Sequence, residues 1–272
     1  MATTQQPDTR PVVFVGVPTY TGDARASAIG RIYSGTKGRY RLLQSPTGFS
    51  FFHFGSSLLA RTFNELWCTA LNYKLVKGER IDYFAMLHAD VTPAAGWIDT
   101  LIDRLESHKL DVLAAVVPIK SDDGLTSTAY AKPGASPFKP AGRLTTAEVH
   151  RLPETFTADH LPNGHRLLNN TGCWVCKFDP AWVTKVHFEI NDRIEWDETK
   201  KCWQPRCEPE DWHLSRQLND LGVKTGATRA VSIWHHGSGT WGNEAPFGDP
   251  VDLAYRTTSV LDEPTTPNVT NP

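Results

Sequence analysis

Three short stretches of the chain carry residues able to do chemistry. Leu87-His88-Ala89-Asp90-Val91 closes an apolar run with an acid. A carboxylate at the carboxyl end of a strand can hold a divalent cation, and that cation can bridge a diphosphate. Glu208-Pro209-Glu210-Asp211-Trp212-His213-Leu214 puts adjacent acids in the first turn of a helix, where the macrodipole favours them whatever they do. Asp211 can serve there as general base toward a hydroxyl, with Glu210 holding the acceptor. Its place beside a helix N-terminus predicts a low pKa, so a deprotonated but weak base. Val231-Ser232-Ile233-Trp234-His235-His236-Gly237 ends a strand in two histidines and a glycine. Neutral imidazole suits Mn2+, and one such ring with one carboxylate could make a metal site. Strand-end acids, first-turn acids and structural histidines are all common without function, so no stretch decides alone.

These residues need a frame. Pro11 to Val17 (PVVFVGV) reads as a buried parallel strand. Asp23 is placed to cap a helix beginning near Ala24, Ser34 to Arg41 reads as a loop, and Arg41 to Gln44 as a second strand. A helix follows, with Ser56 or Ser57 as N-cap and Leu58, Leu59, Phe63, Leu66, Trp67, Ala70 and Leu71 at helical spacing. Arg61 and Asn64 fall off that stripe, one turn apart. Asp82 to His88 predicts a strand, Pro93 to His108 a helix, and Asp111 to Val117 another buried strand. The alternation predicts an α/β fold with a mostly parallel central sheet flanked by helices. Residues 121–165, rich in Pro, Gly, Ser and Thr, read as an irregular insertion or flap with short strands. Regular structure resumes at Arg166 to Phe178, and Asp179-Pro180 opens a short helix. Asn191 to Cys207 reads as a loop, Pro209 to Gly222 as a helix, and Thr225 to His235 as a last strand. Residues 1–10 read as a flexible start, 11–248 as one domain with halves 11–120 and 121–248, and 249–272 as a partly disordered tail.

The order of these stretches carries more than any one of them. PVVFVGVPT, SSLLARTFNEL, MLHADV, VVPIKSDDGLTST, NNTGCWV, EPEDWHLSRQLNDLG and the final HHG follow one another from Pro11 to Gly237. This succession resembles compact family-two-like GT-A glycosyltransferases, including those encoded by viruses and phages. The resemblance implies a GT-A, Rossmann-like fold and transfer of a hexose from a UDP-sugar to a hydroxyl. It implies Asp90 as a ligand of Mn2+ or Mg2+, with His235 as second ligand and His236 as the alternative. His88 stands where the family has its first acid. Pro18 and Thr19 are implied beside the nucleotide base, Arg61 or Asn64 near the donor, and Thr171 and Gly172 near the transferred sugar. Asp211 takes the family's base position, with inversion as the implied outcome.

The chain has 272 residues, 40% apolar and 21% charged, with a formal net charge of −2. That argues against a dedicated nucleic-acid coat, although Ala24 to Asn64 holds six basic residues (Arg25, Arg31, Lys37, Arg39, Arg41, Arg61) and no acid. With Lys132, Lys139, Arg143, Arg151 and Arg166, these could follow a DNA backbone. Similarity to viral enzymes then suggests hydroxymethylcytosine in DNA as acceptor, its base flipped out. A saccharide or protein hydroxyl, or a nucleotide-sugar-binding module without catalysis, are the alternatives. No stretch is long enough to cross a bilayer, and the polar start has no apolar core of a signal peptide. Five cysteines without an export signal predict reduced thiols in a cytosol, a host's if the source is viral. Cys173, Cys176, Cys202 and Cys207 have spacings that admit a four-thiolate Zn2+ site, but residues three apart in a strand face opposite ways.

Overall fold

A computed structural model describes residues 8–20, 22–138, 142–246, 248 and 259–262. The first half runs β1 (Val12–Thr19), α1 (Ala26–Tyr33), β2 (Arg41–Leu42), β3 (Phe52–Gly55), α2 (Leu59–Leu71), β4 (Tyr83–Leu87), β5 (Val91–Pro93), α3 (Trp97–Ser107) and β6 (Val112–Ala115). The second runs β7 (Leu125–Ala131), β8 (Gly142–Thr145), α4 (Thr146–Arg151), β9 (Thr155–Phe156), β10 (Arg166–Leu168), β11 (Cys173–Lys177), α5 (Pro180–Val183), β12 (Asn191–Asp197), β13 (Cys202–Glu208), α6 (Glu210–Asp220), β14 (Thr225–Thr228), β15 (Ile233–His236) and β16 (Thr240–Gly242).

The central sheet has eight strands in the order β2-β1-β4-β11-β6-β14-β9, with β3 also paired to β1. β1 pairs in parallel with β2, β3 and β4, and β6 with β14. β11 inserts antiparallel between β4 and β6, and β9 runs antiparallel at the edge. The chain is therefore α/β with a mostly parallel sheet and helices on its faces. All eight residues of β1 are buried, as an apolar run covered on both sides should be. One face packs on α2 through Phe63, Leu66, Trp67 and Ala70, spaced as a single helical stripe. Trp67 Nε1 donates to Val183 O at 2.9 Å, so its polar handle is satisfied inside the core. The other face packs on α3 through Trp97, Ile98, Leu101, Ile102 and Leu105.

Several elements depart from expectation. α1 begins at Ala26 with Arg25 as an N-cap whose side chain makes no cap bond, so Asp23 does not cap it. α2 starts at Leu59, and Ser56 Oγ instead accepts from Leu58 N at 3.1 Å. α3 starts at Trp97, not Pro93, because Pro93 completes β5 and Gly96 takes a left-handed φ of 76°. Residues 121–138 and 142–165 carry the short strands expected of the insertion: β7 and β8 join β10 in a three-stranded antiparallel sheet, and Thr145 and Glu148 close a capping box on α4. Asn191 to Cys207 is not a loop but most of the β12–β13 hairpin, with seven residue pairs in register. The last predicted strand is two, β14 and β15, in different sheets. Ser259 to Asp262, inside the predicted tail, packs against the domain: Val260 is fully buried and its N–H donates to Glu148 at 3.2 Å. Lys139 and the rest of 249–272 lie outside the described residues.

Candidate active site at the carboxyl end of the sheet

β4 delivers His88 and Asp90 to the carboxyl end of the parallel strands, and β5 turns away immediately after. β15 pairs antiparallel with β5, opposing His235 to Val91. This brings His235 Nε2 to 3.5 Å from Asp90 Oδ2. His235 Nδ1 lies 2.7 Å from Pro118 O. A carbonyl only accepts, so Nδ1 carries the proton and Nε2 presents its lone pair toward Asp90. Lys120, just beyond β6, makes an ion pair with the same Asp90 Oδ2. Burial pushes the Asp90 carboxyl up, but its close contacts with His235 and Lys120 outweigh it and hold the group well below the usual range. Arg25 adds a second cation nearby: its N–H donates to Ala89 O and its guanidinium reaches Gly237 O at 3.4 Å.

The backbone N–H of His236 donates to Asp90 O at 2.9 Å, but its ring is turned away from this group. Its Nδ1 and Nε2 lie 3.1 and 3.0 Å from Thr240 Oγ1 and Thr92 Oγ1. Adjacent strand residues face opposite ways, so with both nitrogens engaged the ring fastens β15 to its neighbours. His88 keeps company with the group. Its N–H donates to Gly172 O at 2.9 Å, its ring lies 5.1 Å from Phe63, and its Nε2 is buried with no hydrogen-bond partner. Burial pushes its pKa down to about 4, so the ring is neutral at neutral pH.

β11 runs opposite to β4, with Cys173 beside Leu87, so the segment before it lies at this same end of the sheet. Thr171 and Gly172 are in that segment. Asn170 fixes its turn, donating to Ala115 O at 2.7 Å and accepting from Gly172 N at 3.0 Å. The segment then reaches α6: Asn169 N donates to Ser215 Oγ at 2.9 Å, and Ser215 Oγ donates to Asp211 O at 2.8 Å. Hydrogen bonds therefore run from the His88 backbone, through the 169–172 segment, to the backbone of the first turn of α6.

That turn carries Glu210 and Asp211, and here the sequence expectation fails in sign. Burial, together with the neighbouring Glu210 charge, pushes Asp211 up to about 7 despite the opposing Arg143. Glu210 is raised as well, chiefly by burial. The helix N-terminus and the bond from Trp212 N to Asp211 Oδ1 (2.8 Å) do not offset desolvation of two adjacent carboxyls. A carboxylate raised in this way is a stronger base than the sequence suggested. The Arg143 guanidinium lies 4.8 Å above the Trp212 ring, which holds it over this turn.

Pro18 and Thr19 end β1 at the same edge, and Thr19 Oγ1 donates to Phe54 O at 3.2 Å. Arg61 and Asn64 lie elsewhere, in an open groove of about 490 Å³ between α2 and Phe188–Ile190. Neither Asp90 nor His235 lines it. Asn64 is a clamp there: Nδ2 donates to Phe188 O at 2.7 Å and Oδ1 accepts from Phe188 N at 2.9 Å. Arg61 pairs weakly with Glu65 at 3.7 Å. The cysteines are not brought together. Cys173 and Cys176 point into the cores on opposite faces of the sheet, while Cys202 and Cys207 sit on the hairpin. Lys120, Asn170 and Ser215 were not picked out in the sequence, although Lys120 follows a strand end and Asn170 precedes Thr171-Gly172.

No protein-family model matches the chain, and no curated protein matches it in sequence. Among solved structures it is similar to protein A197 from STIV, with a TM-score of 0.46 and 11% identity, covering 84% of this chain and 86% of that one. It is also similar to S. aureus TarS 1-349, alone and in complex with UDP-GlcNAc, with TM-scores of 0.36 and 10% identity. Those alignments cover 81% of this chain and 58% or 56% of the TarS chain. Likeness at this level carries no argument about this chain's chemistry, which rests on its own residues.

Proposed function

We propose that the chain is a glycosyltransferase that moves a sugar from a UDP-sugar to a hydroxyl acceptor with inversion. The observation that carries this reading is the joining of two complementary groups at one end of the sheet. One is Asp90, His235, Lys120 and Arg25, suited to a diphosphate; the other is the Glu210-Asp211 pair with a base near 7. One carboxylate and one imidazole nitrogen, on half-buried side chains, fit a divalent cation such as Mn2+ or Mg2+. Bound by Asp90 and His235, such a cation would help neutralise charge on the leaving diphosphate.

The remaining chemistry belongs to the side chains. Asp211 takes the proton from the acceptor hydroxyl as its oxygen attacks the anomeric carbon. The bond from that carbon to the diphosphate oxygen breaks, and the electron pair leaves with the nucleoside diphosphate. Lys120 and Arg25 face the growing phosphate charge. Glu210 and Arg143 flank the acceptor side. Neutral His88, with a buried and unpartnered Nε2, supports a contact to the donor in place of a second acid.

Support for DNA as acceptor is thinner. Basic side chains expected along its backbone are paired with acids: Arg39 with Asp103, Arg61 with Glu65, Arg151 with Asp262 and Arg166 with Asp220. The proposal therefore commits to a hydroxyl and not to a polymer. The test is UDP release from a panel of UDP-sugars with Mn2+, with hydroxymethylcytosine DNA, saccharides or water as acceptor. Release that disappears in Asp90→Ala supports the reading. Tight UDP-sugar binding without release from any acceptor would instead favour a binding module.

A further inference from the structure

We infer that His187, Glu189 and His213 form a second divalent-cation site, of the zinc class, that latches the chain ahead of β12 onto α6. The site does not depend on the donor chemistry above. Metal-ligating atoms of the three residues lie within 4.8 Å of one another. His187 Nε2 is 3.0 Å and His213 Nε2 is 3.7 Å from Glu189 Oε2. Tetrahedral Zn2+ with bonds near 2.0–2.1 Å sets its ligand atoms roughly 3.3 Å apart, so small side-chain motions close the set. Two imidazoles and one carboxylate are also the protein ligands of many zinc centres that keep an outer position open. His187 and Glu189 are exposed, which leaves that position to solvent.

The decisive feature is His213. The residue is only 9% exposed, and its Nε2 is buried without a hydrogen-bond partner. Its Nδ1 lies 3.2 Å from Glu208 Oε2. Asn191 Nδ2 and Arg216 also donate to Glu208 Oε2, at 3.0 and 2.6 Å. Asn191 Nδ2 and an Arg216 N–H also lie 2.9 and 3.1 Å from Nδ1, so that nitrogen is fully engaged by its own neighbours and Nε2 is the ring atom left facing the Glu189 carboxylate. Glu208, Asn191 and Arg216 together hold the ring in place from behind, as outer partners orient ligating imidazoles in metal sites.

The backbone is also held for the purpose. Gln217, one helical turn beyond His213, donates to His187 O at 2.7 Å and accepts from His187 N at 3.3 Å. Asn64 clamps both backbone groups of Phe188, which lies between the two outer ligands. A cation there would tie α6, and with it Asp211, to the segment anchored on α2.

The test is Zn2+ titration of chelator-stripped protein against a chromophoric chelator, in an Asp90→Ala/His235→Ala background so that the donor group cannot contribute. The expected result is one Zn2+ per chain at micromolar or tighter affinity, weakened at least about tenfold by His187→Ala and by Glu189→Gln. Both substitutions are at exposed positions, so folding is retained; circular dichroism checks it. Co2+ loading should give visible d–d absorption that His187→Ala removes. Stoichiometry near zero overturns the inference. So does binding that survives both substitutions but is lost in Cys202→Ser/Cys207→Ser, since the ion would then belong to the hairpin thiols.

Discussion

Replacing Asp211 by Asn should stabilise the protein in a pH-dependent way while removing its base. The ordinary carboxyl value of 3.8 rises to about 7 in the fold through burial and the Glu210 charge. Below the unfolded value both states are protonated, and this group costs nothing. Between 3.8 and about 7 the folded chain holds a proton that the unfolded chain has lost, so stability falls as pH rises. Above about 7 both states are ionised and the full penalty persists. A shift of roughly 3 units corresponds to about 4 kcal/mol as an upper figure, at ~1.36 kcal/mol per unit. Asparagine is neutral throughout and can still accept the bond from Trp212 N. Asp211→Asn should therefore match the native chain at pH 4 and exceed it by as much as ~4 kcal/mol at pH 8.5. At roughly 2–4 °C per kcal/mol for a chain of this size, that is a shift of about 10 °C. Thermal and urea unfolding across this pH range measure it. An Asp211→Asn difference that is constant from pH 4 to 8.5 would refute the claim that desolvation and Glu210 raise this carboxyl.

Other substitutions separate chemical from structural roles. His235→Ala should weaken Mn2+ binding at least about tenfold, whereas His236→Ala should leave it unchanged and instead lower stability by about 1 kcal/mol; calorimetric titration and unfolding distinguish the two. Asn64→Ala should cost about 2–3 kcal/mol in urea unfolding, because it strands the N–H and C=O of Phe188, and should leave UDP-sugar affinity intact. Gly142→Ala should cost at least about 1–3 kcal/mol, since a Cβ there would come within 2.3 Å of the Tyr130 ring, which is stacked on His165.

What could be read in the sequence follows from where the signal is local. β1, β4 and β6 announce themselves as apolar runs because both faces of the central sheet are covered, and the α2 stripe because one helix face meets that sheet. Asp90, His235 and Asp211 could be placed at strand ends and at a helix start because those boundaries are written in the chain. The β12–β13 hairpin was missed although Arg193, Glu195 and Asp197 do alternate with Ile194 and Trp196. Its apolar side faces solvent, with Ile194 and Trp203 more than half exposed, so the alternation does not mark a core. Lys120 and Asn170 act only after β6 and β11 have been placed side by side, which no spacing reports. Asn64 looked like a polar-face residue and is instead a clamp on a segment 124 positions away. The sign of the Asp211 shift was lost because a helix terminus is visible in sequence and burial is not.

The central claim is that one end of the sheet binds a nucleotide sugar at Asp90 and His235 and activates an acceptor at Asp211. It is tested most directly by mass spectrometry of acceptors incubated with UDP-sugars and Mn2+, comparing the native chain with Asp90→Ala and Asp211→Asn. The account predicts a hexose-sized mass gain on at least one hydroxyl acceptor, lost in both variants, with UDP-sugar binding retained in Asp211→Asn. Product formation undiminished in both variants would contradict the site, and absence of UDP-sugar binding by the native chain would contradict the function.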